Sequence, residues 1–504
     1  MMNDAGNSLF RRLKPLWVVG LTAILLIFGW FVWKQLPATF LVSEVPPGTT
    51  VERVYLGPLN SLAVLSFRPA GDGATPEYLG RGISRELVDL LVAEPSLQLT
   101  ATTSSLFPGV GVEDPGIAAQ RLQVAYLVTG TIDLVGDRIQ LQFGLWDSRR
   151  KEMVWEASRE SALQEVDVLL NEVSGALLEQ LPIPRSGPLH AYDPVSPGAW
   201  LACLQGRDLA ARGSFGDAMA LLERAIGLDP GYSAAQLEMA RLALATSPPG
   251  RDEALAGIDS VLEQDRHFPR ALGLRSYIER NLDWNWSAAA DTATRAVRLL
   301  PGDASLQNLA GQALFSAGRH HAAVEHFTEA VVRDPLNLNI RLGLGLAQEY
   351  LGQYDEALKT YRVLLAMKPG FPGAHAFRAR IKLLQENPDS ALHESEQESN
   401  PFWKTYSRVL ALAGQGKPEE AIEQWQELIT GHGDTAAFQF AEIAAYLGRI
   451  DESFSWLETA RIQEDAGIRE LPGNRFLVGL HSDPRWPQML TQMGFALDAD
   501  RPND

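Results

Sequence analysis

The period of the apolar positions changes three times along the chain. From Leu16 to Trp33 it reads LWVVGLTAILLIFGWFVW, eighteen residues without a charge. At about 1.5 Å per residue this gives about 27 Å of helix, enough to cross a bilayer. After residue 58 the apolar runs shorten. SLAVLSF (61–67) predicts a strand, and EYLGRGISRELVDLLVA (77–93) a helix with Leu79, Ile83, Leu87 and Leu90 on one face. LQLTATTSSL (97–106) predicts a second strand and GIAAQRLQV (116–124) a short helix. AYLVTGTIDL and RIQLQFGLWD flank Gly136 and Asp137 as a β-hairpin, with EMVWEAS as a third strand and 163–181 as an amphipathic helix. The order βαβαβββα implies one mixed sheet covered by helices. From about residue 199 the spacing becomes purely helical.

Within that helical region the pattern repeats. Ala289, Ala323, Ala357 and Ala391 recur every 34 residues, and Gly311 and Gly345, and Pro301, Pro335 and Pro369, keep the same interval. Small residues let the two helices of a unit approach closely, and proline stops the second so that the next can begin. These residues resemble the tetratricopeptide repeat, which implies a helix-turn-helix array that binds other proteins. In that frame the first unit runs from Ala199 to Tyr232. SPPGR (247–251) lengthens the turn of the second, LDWNWSAA (282–289) lies in the third, and 304–337 and 338–371 are the most regular. A sixth near 372–401 is shortened, and a seventh and eighth reach about Gly467. LHSDPRWPQMLTQMGF (480–495) resembles the helix that closes such arrays, whose last repeat would otherwise expose an apolar face.

The ends and linkers set the expected topology. Arg11, Arg12 and Lys14 precede the apolar stretch and only Lys34 follows closely. The positive-inside rule therefore expects an uncleaved, single-pass bacterial inner-membrane anchor with its N-terminus in the cytoplasm and the bulk in the periplasm. The expected order is a cytoplasmic tail (1–15), a transmembrane helix (16–33), a linker (34–58) and an α/β domain (59–182). A second linker (183–197), repeats (198–467) and capping helices (468–497) complete it. Composition adds that 44 basic against 62 acidic residues, a net charge of −18, oppose general attraction to nucleic acid. Cys203 is the only cysteine, so neither an internal disulfide nor a cysteine-rich zinc site can form.

The 59–182 segment resembles the TolB-like domain that bacterial proteins carry before tetratricopeptide repeats. The resemblance rests on SLAVLSF, EYLGRGISREL (77–87), ATTSS (101–105), YLVTGTI (126–132) and Trp155. In that family the domain follows a DNA-binding domain, a nucleotide cyclase or a bare membrane segment. The fifteen residues before the anchor leave room only for the last.

Candidate chemistry is sparse. GQGK (414–417) lacks the first glycine of a phosphate-binding loop, and His393 and Glu394 are followed at 397 by Gln instead of a second histidine. His320, His321 and His326 do not share one helical face and predict a surface cluster, and Glu394–Glu398 predicts a solvated one. Trp284 and Trp286 are expected to pack against a neighbouring repeat. No catalytic residue, metal site or cofactor is assigned. In a tetratricopeptide frame positions 2, 5, 9 and 12 of each unit face inward. They place Trp200, Arg207, Asn308, Gln312, Phe315, Asn339, Glu349, Trp403 and Tyr406 on a concave surface suited to an extended peptide or partner helix. The expectation is a non-enzymatic, membrane-anchored scaffold or adaptor that binds other proteins through this superhelix. The alternative is a transmembrane sensor built from the same parts.

Overall fold

A computed structural model describes residues 57–71, 75–106, 110, 114–184, 196–246, 248–433 and 435–496. The tail, the apolar stretch at 16–33, most of the first linker and the middle of the second lie outside the described residues. Among those residues, no helix is long and apolar enough to cross a membrane.

The N-terminal part is a mixed sheet covered by helices. Its elements are β1 (Ser61–Val64), β2 (Arg68–Pro69), α1 (Glu77–Leu91), β3 (Gln98–Leu99), α2 (Thr102–Ser105) and α3 (Pro115–Leu122). They continue with β4 (Tyr126–Val135), β5 (Arg138–Asp147), β6 (Glu152–Ala162) and α4 (Val166–Gln180). The sheet order is β3-β1-β4-β5-β6, with β2 also paired to β4. Contacts of β1 with β3 and β4 are parallel, whereas β4-β5-β6 is an antiparallel meander in which Tyr126 faces Asp147 and Val135 faces Arg138. Leu79, Ile83 and Leu87 of α1 and Leu170, Val173 and Leu177 of α4 are buried in one core with the strands. Ala118, Ala119 and Leu122 of α3 join a second with Ala63, Leu65 and Leu127.

Two details differ from expectation. Only Gln98 and Leu99 of the second expected strand pair with β1, and Thr102–Ser105 turns into helix. The Ala101 amide donates to the Arg333 carbonyl (2.7 Å), and the Ser104 hydroxyl donates to Asp334 (2.5 Å). Partners more than 200 residues away thus bend this segment out of the sheet. Gly80 and Gly82 sit inside α1 and not in a turn. A Cβ at Gly82 would come within 2.5 Å of Leu204, so glycine there lets α1 lie directly on the helical array.

Among the described residues, sixteen helices between 197 and 462 form eight antiparallel pairs. Repeats 1 to 4 are Pro197–Ala211 with Phe215–Leu228, Ser233–Leu244 with Arg251–Gln264, Pro269–Asn281 with Trp286–Leu299, and Ala304–Ser316 with His320–Arg333. Repeats 5 to 8 are Leu338–Tyr350 with Tyr354–Met367, Ala374–Leu384 with Pro388–Gln397, Pro401–Gly414 with Pro418–His432, and Ala437–Tyr446 with Ile450–Ile462. The alanine ladder lies on the second helices, where Ala289, Ala323, Ala357 and Ala391 are fully buried. The glycines on the first helices face aromatic rings. A Cβ at Gly345 would come within 2.4 Å of the Tyr361 ring, and one at Gly311 within 2.8 Å of Phe327. The period therefore encodes a ring packed into a backbone notch. Asp303 and Asn337 accept hydrogen bonds from the first amides of their helices and fix where repeats 4 and 5 start.

The chain then turns back on itself. After repeat 8, short helical turns at Ala466–Glu470 and Val478–Leu480 lead to a last helix, Trp486–Gln492. Trp286 donates its indole N–H to the Met493 carbonyl (2.8 Å) and stacks on Phe495 at 4.9 Å. Trp284 and Trp286 thus receive the C-terminal segment, whereas the expectation was a neighbouring repeat.

Candidate interaction surface

Burial of the inner wall falls into three stretches. In the first, α1 covers the opening repeats. Arg207, on the first helix of repeat 1, bonds Glu86 of α1 (2.8 Å) and Glu238 of repeat 2 (3.1 Å). Arg81 of α1 pairs with Asp208 (2.7 Å). Arg270, at the start of repeat 3, joins Asp89 of α1 (2.7 Å) to Asp303 (3.0 Å). Desolvation raises the Glu238 carboxyl, but Arg207, Arg241 and Arg85 outweigh it and hold its pKa at about 2. Trp200 is fully buried in the core shared with the sheet. Trp200 and Arg207 therefore hold the two parts of the chain together and are closed to a partner, because α1 occupies the space they were expected to offer.

In the second stretch the C-terminal segment fills the hollow. Arg380, on the first helix of repeat 6, donates to Glu349 (3.0 Å), pairs with Glu442 (3.3 Å) and stands 4.0 Å from Glu470. The Tyr406 hydroxyl donates to Glu442 (2.8 Å) and that of Tyr350 to Glu470 (3.2 Å). Asn474 bridges Tyr350 (3.0 Å) and Glu442 (2.8 Å). One guanidinium thus meets three carboxylates in an interior setting. Burial pushes Glu349 and Glu470 up to about 7 against the pull of Arg380. Glu349 and Tyr406 were expected on an open surface, and their own chain buries both. His320 departs from its expected surface cluster in the same way. It is buried against Phe315 and Tyr350, and desolvation lowers its pKa to about 4. Glu394 and Glu398 are buried too, and Glu394 bonds His375 (2.9 Å) and Arg378 (2.7 Å).

Between these two stretches lies a cavity of about 660 Å³. It brings together Gln312, Phe315, Asn339 and Trp403 of the expected set, with Phe315 turned mostly into the core. Asn308 stands beside it and accepts from Gln312 (3.3 Å). Phe371, Phe377, Phe402 and Trp403 form an aromatic wall, with Phe377 and Trp403 rings 5.3 Å apart. Two guanidiniums, Arg280 and Arg469, also line it. Arg280 donates to Ser316 (2.9 Å) and Gln312 (3.3 Å) but to no carboxylate, and desolvation with the Arg469 charge lowers its pKa to about 9. Among the described residues, Arg469 forms no hydrogen bond or ion pair, and burial lowers its pKa as well.

Sequence reasoning passed over Arg280, Arg380 and Arg469. Arg380 could have been found, because it holds the same place in its 34-residue unit as Arg207 does in the first. Arg469 follows the last helix pair, where no period remains to flag it.

Residues 209–278 and 314–381 match one tetratricopeptide repeat family model and 285–337 another. The helical array is a tetratricopeptide repeat solenoid. A tetratricopeptide repeat and J domain-containing co-chaperone of Fusarium oxysporum f. sp. lycopersici is 31% identical over 186 residues, 36% of this chain. The match spans 32% of that protein's length. A tetratricopeptide repeat protein from Parabacteroides merdae overlays 51% of this chain and all of its own at 15% identity, with a TM-score of 0.38. YrrB, a repeat protein described as having an unusual peptide-binding site, overlays 41% of this chain and 97% of its own at 20% identity, with a TM-score of 0.31. Tetratricopeptide repeats bind other proteins or peptides, and that general role extends to this array.

Proposed function

We propose that the chain is a non-enzymatic scaffold, tethered to the bacterial inner membrane through residues 16–33 with its folded part in the periplasm. It holds a partner's extended segment in the cavity between repeats 3 and 8. The tether and its orientation rest on the charge-free stretch and the arginines before it, and the TolB-like reading of 59–182 rests on its motifs. What carries the binding reading is the cavity's chemistry. Two desolvated guanidiniums without carboxylate partners stand beside an aromatic wall. A segment that presents an acidic group next to apolar or aromatic side chains satisfies both, since charge-assisted bonds and ring stacking strengthen out of water.

The test is photo-cross-linking in intact cells from a reactive residue at position 339. Arg280→Gln, Arg469→Gln and Trp403→Ala should each remove most of the captured partner, while cross-linking from the exposed position 462 should capture none of it. Equal capture by the wild type and all three variants overturns the cavity reading. A topology reporter fused after residue 60 that works only in the cytoplasm overturns the orientation.

A further inference from the structure

A second cavity, of about 500 Å³, lies at the seam where α1 and α2 meet the first helix of repeat 1. Four guanidiniums line it, Arg81, Arg85, Arg207 and Arg212, against two carboxylates, Glu77 and Asp208. That leaves an excess of two positive charges in a chain whose net charge is −18. Three of the four are engaged. Arg81 bonds Glu77 (3.1 Å) and Asp208 (2.7 Å), Arg212 bonds Asp208 (3.0 Å), and Arg207 holds Glu86 and Glu238. Arg85 differs. Among the described residues it makes no hydrogen bond or ion pair, and burial together with the Arg207 charge lowers its pKa. A half-buried guanidinium with no acceptor costs desolvation without return. It is the arrangement an arriving anion would complete.

We infer that this seam cavity binds a small organic phosphate, with Arg85 as the principal anchor. The Arg85 fork offers five N–H donors, and the Thr102 hydroxyl on the opposite wall adds another. Together they exceed what the two oxygens of a carboxylate accept, and they suit the three terminal oxygens of a phosphate. The remaining wall, Tyr78, Leu106, Leu204 and Ala211, is apolar or aromatic and covers the organic body. The cavity size falls within the range of about 300–1,000 Å³ usual for small-molecule sites. Because α1 and α2 form one wall and repeat 1 the other, a bound ligand tightens the contact between the sheet domain and the solenoid. This gives the chain a ligand-dependent joint, separate from the cavity proposed to hold a protein partner.

Calorimetric titration of the full-length chain in non-ionic detergent tests this, with pyrophosphate and adenosine diphosphate as probes and citrate as comparator at matched ionic strength. Saturable binding of both phosphate probes is expected, weakened at least about tenfold in Arg85→Gln and weakened also in Arg212→Gln. The surface variant Arg319→Gln should bind like the wild type. Arg85 has no partner to lose, so its variant keeps the wild-type melting temperature without ligand, and adenosine diphosphate raises the melting temperature of the wild type alone. Absence of saturable phosphate binding, equal affinity in Arg85→Gln, or citrate binding as tight as pyrophosphate overturns the inference.

Discussion

Two arginines occupy matching inward positions, Arg207 in repeat 1 and Arg380 in repeat 6, and both are closed to solvent. What closes them differs. Arg207 is sealed by α1, a helix from a different domain, through Glu86. Arg380 is sealed by the solenoid's own C-terminal segment, through Glu470 and Asn474 on either side of Glu442. At the first node two carboxylates share one guanidinium, with Arg241 standing 2.7 Å from Glu238 as a second cation. At the second, three carboxylates crowd around a single arginine, and tyrosine hydroxyls and an asparagine amide supply the remaining bonds. An inner wall that suggests binding is therefore used twice for internal assembly, and only the stretch between the two nodes stays open.

The largest test of the contrast is truncation of the two arginines. Arg380→Ala should cost about 3–5 kcal/mol in urea unfolding, because it leaves three buried carboxylates without a counter-charge. If its loss is below that of Arg207→Ala, the C-terminal node is not the stronger one. Arg207→Ala should cost about 1.5–3 kcal/mol, since Arg241 and Arg85 still face Glu238. Its effect should appear as looser docking of α1, measured as faster amide exchange in 77–91 than in the wild type.

The smallest and most discriminating test is pH. Glu349 and Glu470 have native pKa values near 7, raised from an unfolded value of 4.5 by burial. Their contribution is complete below about pH 4.5 and is lost as pH rises through about 7. Glu238 has the opposite sign. With a native pKa of about 2 it contributes fully above its unfolded value of 4.5 and loses that contribution as pH falls toward 2. Amide exchange across 374–480 should therefore be slower at pH 5 than at pH 8, while that of 77–91 should be alike at the two. Glu349→Gln should flatten the difference in the C-terminal half. A stronger pH response at α1 would reverse the comparison.

Much of the fold was legible in residue order. The hairpin around Gly136 and the 34-residue ladder are local devices, set by turn chemistry, by alternation and by glycine facing a ring one helix away. Segment 97–106 was misread because its conformation depends on Arg333 and Asp334, far along the chain. The candidate surface was half legible. Gln312, Asn339 and Trp403 do meet around one cavity, but Trp200, Arg207, Glu349 and Tyr406 face inward onto neighbours already in place.

By itself, the sequence determined which residues form helices, where each pair turns and which side of each first helix looks inward. These follow from contacts within about 34 residues, which a periodic pattern records. Only the tertiary structure decided which inward faces remain open. Glu86 and Arg207 lie 121 residues apart, and Tyr350 and Glu470 lie 120 apart. No local pattern encodes such pairings, because they arise when whole elements seek to bury their remaining apolar and charged surface. Arg280 and Arg469 are exposed to a partner for the same reason: the elements that might have covered them were already used at the two nodes.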